Sequence, residues 1–288
     1  MIKPVVSVSI VSANFNNEEF LEDYFNSILN SSLQPLEVII IDDGSTDNSL
    51  QIINRYRYLD FLKVIVNQEN LGFAKSLNTG INLAKGKYVM RLDPDDFISP
   101  ERIEKQYNFL ENNSEIDLVG SNVNYFNHQL KKVVFTSCFP LKPEEIREQY
   151  KKGFHGVIHS TIMSRRIIFS NYSYSQSEIP AEEYDLFSRM VSGKIKMANL
   201  GLPLTNYRLH ENNTSHLLFR KALLKTHKLR EKIFNKKTNR FSLYIKTTHL
   251  FYYRKALMSK SNIMRYLYFC TALIFHPTKL FKRLRVRF

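Results

Sequence analysis

A cluster of three carboxylates directly after an apolar run constrains this chain more than any other feature. Residues 88–90 are apolar enough for a buried strand, and Asp93, Asp95 and Asp96 follow at once, stiffened by a proline. Carboxylates this close together repel one another and raise each other's pKa values. A divalent cation removes that cost, because Mg²⁺ and Mn²⁺ prefer oxygen ligands. The turn therefore favours a metal site at Asp95 and Asp93, and a solvated acidic turn that caps a helix is the alternative.

A second acidic turn follows an earlier apolar run in the same way. Residues 36–41 have the composition of a buried strand, and Asp42 and Asp43 come directly after it. A carboxylate there can accept a hydrogen bond from a nucleobase N–H or a ribose hydroxyl, although an ordinary turn is the alternative. Ligands bind to open α/β sheets at the carboxyl ends of the strands. We therefore expect both acidic turns to line one cleft.

Strand and helix patterns alternate over the first 112 residues. Short apolar or β-branched runs predict strands at 5–11, 36–41, 62–66 and 87–92. Amphipathic segments between them predict helices, and this alternation implies a parallel sheet with right-handed crossovers. Beyond residue 112 the pattern changes to strands at 117–126 and 132–136, a helix at 143–150, an irregular stretch at 151–180, a helix at 182–192 and extended residues at 195–209.

Three further groups of residues suit a phosphate-bearing ligand or acid–base chemistry. Asn70 and Gly72 precede a predicted helix, where glycine permits close approach and the helix N-terminus favours phosphate, and ordinary turn chemistry is the alternative. One of the acids at 182, 183 and 185 can be a general base for a hydroxyl, although acids at a helix start also favour its dipole. Arg208 and His210 alternate onto one strand face, where they could meet a diphosphate or a metal ion. His155 and His159 are weaker candidates for substrate contact.

In this order, these segments resemble the inverting family 2 glycosyltransferases, which have a GT-A fold. The resemblance covers about residues 5–215 and rests on 8–16, 37–47, 70–72 with Asn78, Gly80 and Gly86, 92–96, 182–183 and 207–210. One position departs from the pattern, because Glu183 stands where the family usually has Asp. The implied fold class is α/β, with a Rossmann-like, mixed but mainly parallel sheet flanked by helices.

The resemblance implies a role for each matching position. It implies nucleotide binding by Ser12, Asn14, Asp42, Asp43, Asn70, Gly72 and Asp93. It implies a metal site at Asp95, Asp93 and His210, and contacts with the donor sugar or diphosphate at Asp96 and Arg208. The catalytic base would be Glu183, with Asp185 and Glu182 as alternatives.

The implied reaction is transfer of a hexosyl or N-acetylhexosaminyl group from a nucleotide-sugar donor. UDP is the favoured nucleotide, Mn²⁺ or Mg²⁺ the expected cofactor, and a hydroxyl of a glycan or lipid-linked acceptor the expected target. Such enzymes build surface polysaccharides such as lipopolysaccharide and capsule. Two alternatives remain at this stage. One is a nucleotidyltransferase-like enzyme, which would normally carry a glycine-rich basic loop after its first strand; the other is an inactive sugar- or membrane-binding protein.

Basic charge is concentrated towards the C-terminus. The 288 residues carry a formal net charge of +14, yet 216–288 alone contains 19 Lys and Arg against the single acid Glu231. This asymmetry predicts a GT-A domain at 1–215 and a basic, aromatic-containing helical extension at 216–288. The extension suits an anionic membrane surface. Packing on the core or on a second subunit, as in a homodimer, is the alternative, and we expect no nucleic acid partner because no such motif is present.

Composition also bears on the compartment. Two cysteines, Cys138 and Cys270, do not make a disulfide framework, so we expect free thiols. The first residues make a poor signal peptide. The most apolar late run, 266–275, is half of the roughly twenty residues that a spanning helix needs. We therefore expect a cytoplasmic protein, peripheral on the inner face of the cytoplasmic membrane.

Overall fold

A mixed nine-stranded sheet organises the computed structural model, which describes residues 3–210, 218–259 and 261–275. The strands lie in the order β3-β2-β1-β4-β8-β6-β9-β5, and β7 pairs with β6 outside this row. Their bounds are β1 Val5–Asn14, β2 Gln34–Asp42, β3 Leu62–Val66, β4 Tyr88–Arg91, β5 Phe97–Ile98, β6 Leu118–Asn127, β7 Lys132–Thr136, β8 Met163–Arg165 and β9 Met197–Leu209.

Helices cover both faces of the sheet and continue into the basic extension. Their bounds are α1 Leu21–Leu29, α2 Ser49–Arg55, α3 Phe73–Leu83, α4 Arg102–Asn112, α5 Pro143–Lys151, α6 Glu182–Ser192, α7 Phe219–Phe234, α8 Arg240–Met258 and α9 Asn262–Phe275. Short 3₁₀ turns lie at His159–Thr161, Arg166–Ser170 and Gln176–Glu178.

The first four strands of the row are parallel, as the alternating pattern predicts. β2 and β4 flank β1 on either side, with Asn14 opposite Asp42 and Val11 opposite Arg91. Both acidic turns therefore leave the sheet at one edge, about 10 Å apart, since two strand spacings separate them. The expectation that they share an edge is confirmed.

The second half of the sheet is mixed, and one of its strands lies in the stretch that the sequence predicts to be irregular. β8 is only three residues long and pairs antiparallel with β4 on one side and with β6 on the other. A strand this short has no alternation to detect, and it forms because β4 and β6 on either side supply its hydrogen bonds. β5 runs antiparallel to β9, with Phe97 opposite Asn206. This pairing brings the end of β9 against the acidic turn.

Apolar residues on both faces of the sheet form the core. Val11 and Ile39 belong to a cluster that includes residues of α3 and α6, whereas Val8 and Ile40 belong to a cluster that includes residues of α1 and α4. Burial on both faces explains why these strands are almost continuously apolar.

The basic extension begins with α7, which packs on α6 and on the 3₁₀ turn at Gln176–Glu178. Leu229 of α7 is buried in the cluster that contains α6, and the Lys225 ammonium lies 3.4 Å from the Glu178 carboxylate. α8 and α9 pack against each other, with Tyr253 and Phe269 edge to face at 5.7 Å. Among the residues that the structure describes, no helix is both long and apolar enough to cross a membrane.

Candidate active site

Three of the predicted nucleoside ligands are buried in the edge of the sheet. The Ser12 hydroxyl lies 2.7 Å from that of Tyr24 and donates to the Leu92 carbonyl at 2.6 Å. The Asn14 amide donates to the Asp42 carboxylate at 2.8 Å. All three side chains are almost inaccessible to solvent. In the structure these hydrogen bonds join neighbouring strands and turns, and the nucleotide contacts that the resemblance implies for Ser12, Asn14 and Asp42 stay a prediction.

Asp43 holds the loop at 67–72 against the edge of the sheet through hydrogen bonds. Its carboxylate accepts hydrogen bonds from the backbone N–H groups of Leu71 and Gly72, at 3.0 and 2.9 Å, and from the Asn67 amide at 2.7 Å. Gly72 has a φ of 95°, which favours glycine. Asn70 is exposed on this loop. Asp43 is therefore a buried anchor, and the loop that it holds is the part open to a ligand.

The acidic turn holds its three carboxylates in different surroundings. Asp93 Oδ1 accepts from Arg91 Nη2 at 2.5 Å, and Asp95 Oδ2 lies 3.0 Å from His210 Nε2. Asp96 accepts from the Arg208 backbone N–H at 2.9 Å, while its second oxygen is buried without a hydrogen bond. Burial raises the pKa of both Asp93 and Asp96, and the charge of Asp95 adds to each rise. Asp96 is thus buried within the turn, and its contact with the donor sugar stays a prediction.

Arg208, which the resemblance implies as a contact of the donor sugar or diphosphate, lies buried behind the acidic turn. Its guanidinium is 2% exposed and donates to the Asp95 carbonyl at 2.8 Å and to the Asp23 carboxylate at 2.7 Å. The rings of Phe20 and Phe97 lie 5.1 and 5.0 Å from it. All of these contacts lie inside the protein. In the structure the Arg208 guanidinium therefore stabilises the backbone of the acidic turn.

Two more buried arginines support the turn, and the sequence pattern gives no sign of them. The Arg91 side chain is fully buried beside Asp93, and Arg102 donates to the Arg91 carbonyl at 2.8 Å. Burial lowers the pKa of Arg102 to about 9. The sequence analysis also does not single out His128. Its Nε2 lies 2.6 Å from Glu19 Oε1, and its Nδ1 lies 3.0 Å from Arg208 Nη1. Cationic side chains therefore lie behind the carboxylates.

Asp95 and His210 are the pair best arranged to hold a divalent cation. Their oxygen and nitrogen lie 3.0 Å apart, which suits two ligands of one ion. Within the described ranges there is no group of three or more His, Cys, Asp or Glu side chains that could hold a metal on its own. The pair fits a Mg²⁺- or Mn²⁺-type site that one or two protein groups and substrate phosphates complete together.

Among the three acids at the start of α6, Glu183 is the best placed for acid–base chemistry. Its side chain is 36% exposed, and Oε1 lies 3.4 Å from His159 Nδ1. Burial, then the charges of Glu182 and Asp93, raise its pKa to about 8. Asp185 is instead paired with Arg189 at 2.8 Å. Glu182 has one oxygen buried without a hydrogen bond, and burial raises its pKa as well.

Comparison with known proteins identifies the family. The model of glycosyl transferase family 2 matches residues 9–170, more than half of the chain. The chain belongs to glycosyl transferase family 2. This family 2 glycosyltransferase is 29% identical over 251 residues to the UDP-Glc:alpha-D-GlcNAc-diphosphoundecaprenol beta-1,3-glucosyltransferase WfaP of Escherichia coli, covering 85% of this chain and 92% of WfaP.

Solved structures of similar shape confirm the GT-A fold. Residues 1–349 of Staphylococcus aureus TarS in complex with UDP-GlcNAc match with a TM-score of 0.61 at 16% identity, covering 93% of this chain and 89% of that one. The mannosyltransferase PcManGT of Pyrobaculum calidifontis, in complex with GDP-Man and Mn²⁺, matches with a TM-score of 0.63 at 14% identity, covering 99% and 85%. The expected fold class is therefore confirmed for this family 2 glycosyltransferase.

Proposed function

We propose that this family 2 glycosyltransferase moves a sugar, with inversion, from a nucleotide diphosphate donor to a hydroxyl of a glycan or lipid-linked acceptor of a surface polysaccharide. The observation that carries the proposal is the closeness of the acidic turn to Glu183. Only two side chains lie between them: Arg91 Nη2 donates to Asp93 at 2.5 Å and Arg91 Nε lies 3.4 Å from the His159 ring, whose Nδ1 lies 3.4 Å from Glu183 Oε1. The charge of Asp93 also contributes to the raised pKa of Glu183. A donor-binding group and a proton acceptor are thus available in one cleft.

Glu183 is the proposed general base. Its carboxylate takes the proton of the acceptor hydroxyl as the acceptor oxygen attacks the anomeric carbon opposite the leaving group. The bond between that carbon and the diphosphate oxygen breaks at the same time, and the electron pair stays on the nucleoside diphosphate. A positioned base of this kind contributes about 10²–10⁴-fold to the rate.

Asp95 and His210 are the proposed ligands of Mn²⁺ or Mg²⁺, with Asp93 beside them. A divalent cation stabilises the negative charge that develops on a leaving diphosphate. The buried arginines keep the turn in place, so the carboxylates are positioned before the donor arrives.

UDP is the proposed donor nucleotide. WfaP is named for UDP-Glc and for a diphosphoundecaprenol acceptor, and the TarS structure contains UDP-GlcNAc. These names support a UDP-sugar and a lipid-linked acceptor here. The GDP-Man complex of PcManGT makes GDP-sugars the first alternative to test.

The extension at 216–288 is the proposed membrane-binding part, at the cytoplasmic face. Several large apolar side chains on α8 and α9 are exposed, namely Phe241, Tyr244, Ile263, Met264, Tyr266, Leu267 and Ile274. Apolar side chains among basic ones suit the interface of an anionic membrane. A location there would bring the enzyme to lipid-linked acceptors.

A thermal-shift screen with UDP-Glc, UDP-GlcNAc and GDP-Man, each with and without Mn²⁺, tests the proposed donor and metal. A donor at 100 times its Kd stabilises the folded state by about 2.7 kcal/mol, and each kcal/mol raises the Tm of a chain this large by roughly 2–4 °C. We expect Asp95→Ala to lose the Mn²⁺-dependent part of that rise, because it removes one of two proposed ligands.

Asp60→Ala is the matched control, because Asp60 is an exposed aspartate just before β3, at the opposite end of the strands. It should keep the full rise. An unchanged response in Asp95→Ala would remove Asp95 from the site. Donor binding without any transfer or hydrolysis would instead identify an inactive sugar-binding protein.

A further inference from the structure

A continuous line of side chains connects the acidic turn to Glu183 through the protein interior. Arg91 Nη2 donates to Asp93 at 2.5 Å, and Arg91 Nε lies 3.4 Å from His159 Nε2. On the other side of the imidazole, Nδ1 lies 3.4 Å from Glu183 Oε1. The side chains of Arg91 and His159 are 0% and 2% exposed. The buried side chains of Arg91 and His159 therefore connect Asp93, on the donor side, to Glu183, the proposed base.

The partners of Nε2 decide which nitrogen of His159 carries the proton. Arg91 can only donate, so Nε2 must accept. The Tyr174 hydroxyl lies 2.5 Å from the same nitrogen, and it can donate as well. In a neutral ring the proton is then on Nδ1, the nitrogen that faces Glu183. Burial and the nearby charge of Arg91 hold the pKa of His159 well below its usual range, so the ring stays neutral.

Nδ1 is also a buried polar atom without a hydrogen bond of good geometry. A buried donor left in this state costs free energy, and the nearest carboxylate is the partly exposed Glu183. Hydrogen bonds of this kind are often long in a protein without substrate and shorten in the reacting complex. A small rotation of the Glu183 side chain would complete this one.

We propose that His159 is a positioning residue for the base: its Nδ1–H holds one oxygen of Glu183, so that the other oxygen faces the acceptor hydroxyl. The inference rests on the proposed role of Glu183 and adds a residue that touches no reacting atom. Arg91 extends the arrangement, because the same guanidinium fixes Asp93 and the tautomer of His159. The geometry of the base is thereby tied to that of the donor side.

Simple core packing is the competing explanation, since the His159 ring also lies against Phe73 at 5.8 Å and Tyr174 at 5.3 Å. Two amide substitutions of similar size separate the explanations. His159→Asn keeps a donor near the position of Nδ1, whereas His159→Gln places its amide near Nε2 and removes the donor that faces Glu183. A packing role would make both variants alike.

The decisive measurement is the titration of Glu183, followed by carboxyl ¹³C NMR in the full chain labelled at the glutamate Cδ. Glu183→Gln identifies the resonance. The charged or titratable groups that act on this carboxylate are Glu182, Asp93, Arg91, His159, Tyr150 and Tyr174. We expect the pKa of Glu183 to rise in His159→Gln, because a donor to the charged form is lost, and to stay near the native value in His159→Asn. An equal titration in the native chain and in both variants would overturn the inference.

Turnover is the second readout, with UDP-glucose and Mn²⁺ as the probe and release of UDP as the signal. A base displaced by about 1 Å costs roughly 10²-fold in kcat, so His159→Gln should lower kcat by that order while KM stays unchanged. His159→Asn should recover most of the rate. If Glu183→Gln turns over normally, the proposed base is wrong, whereas a normal rate in His159→Gln with an inactive Glu183→Gln would overturn only the positioning role.

Discussion

At the scale of single residues, the acidic turn places the partly exposed carboxylates of Asp93 and Asp95 in front of buried arginines. Arg91, Arg102 and Arg208 are among the largest fully buried side chains of the protein. Each donates a hydrogen bond to a backbone carbonyl or a carboxylate of the acidic turn. Charges buried in this way fix geometry, because any other position leaves them unpaired at a large cost in free energy. The acidic turn is therefore held in one position by these buried arginines.

The pH dependence of catalysis should follow the raised pKa of Glu183. A general base must be deprotonated, so kcat/KM should rise with pH and level off above about 8. Glu183→Gln should remove transfer while it leaves donor binding intact, as measured by initial rates and by calorimetry. Asp185→Asn serves as the control, because Asp185 is paired with Arg189. Transfer near the native rate in Glu183→Gln would give the role of base to Glu182 or Asp185.

The same substitution has an effect on stability that does not depend on any substrate. Between the ordinary glutamate pKa of 4.5 and a native value of about 8, the folded chain keeps a proton that the unfolded chain has lost. The free energy of unfolding therefore falls as pH rises through this range. Glu183→Gln should remove that part of the slope and stabilise the protein above pH 8, as measured by urea unfolding.

The acidic turn could be predicted from the sequence, but its supports could not. Three carboxylates after an apolar run are visible in neighbouring positions. Arg91 and His159, in contrast, are 68 positions apart, and Arg208 and Asp23 are 185 positions apart. No periodicity in a single sequence reports such pairs, so the sequence could suggest Arg208 and His159 as ligand contacts but not the buried partners that they have in the fold.

At the scale of elements, hydrophobic periodicity was sufficient for the regular part of the fold. The helix predicted at 182–192 and the strand predicted at 62–66 have those same bounds in the structure. α4 begins only at Arg102, because the Ser99 N–H donates to the Leu204 carbonyl and continues the pairing of β5 with β9. Elements whose hydrogen bonds come from distant strands were those that the pattern missed.

The contact between α3 and β1 depends on Gly80. A Cβ there would lie 2.6 Å from Cγ1 of the buried Val11, so α3 can approach the strand only with glycine at this position. Gly80→Ala should destabilise the fold by about 1–3 kcal/mol through overpacking, although alanine alone would favour a helix by about 1 kcal/mol. Urea unfolding measures the difference.

Thr79→Ala is the control for Gly80→Ala, since Thr79 is exposed on the same turn of α3. It should change stability by no more than about 0.5 kcal/mol. Val11→Ala removes the clashing methyl, so combining it with Gly80→Ala should cost less than the sum of the two changes. A stabilising Gly80→Ala would show that the sheet and helix tolerate the methyl group.

At the scale of the whole molecule, the charge of the chain is divided between two parts. Residues 216–288 carry 19 basic residues against one acid, whereas the remaining 22 basic residues face 26 acids. Leu229 of α7 is buried against α6, and Lys225 of α7 pairs with Glu178. Deleting the entire extension would therefore expose part of the core. Substitutions on the exposed apolar side chains of α9 are therefore the cleaner test of membrane binding.

Ile263→Glu combined with Ile274→Glu should abolish flotation with vesicles that contain phosphatidylglycerol. These side chains are 75% and 77% exposed, so the changes should leave the fold intact while they place charge where apolar contact with lipid is proposed. Ile167→Glu is the matched control. Ile167 is 74% exposed but lies in the 3₁₀ turn at Arg166–Ser170, outside the extension, so this variant should float like the native chain. Binding of the native chain to vesicles should weaken when salt is added or when the vesicles contain phosphatidylcholine alone. Each basic residue near an anionic surface contributes about 1 kcal/mol, and both changes remove that attraction. Equal flotation of all variants would reject the membrane role and leave α8 and α9 as a packing surface.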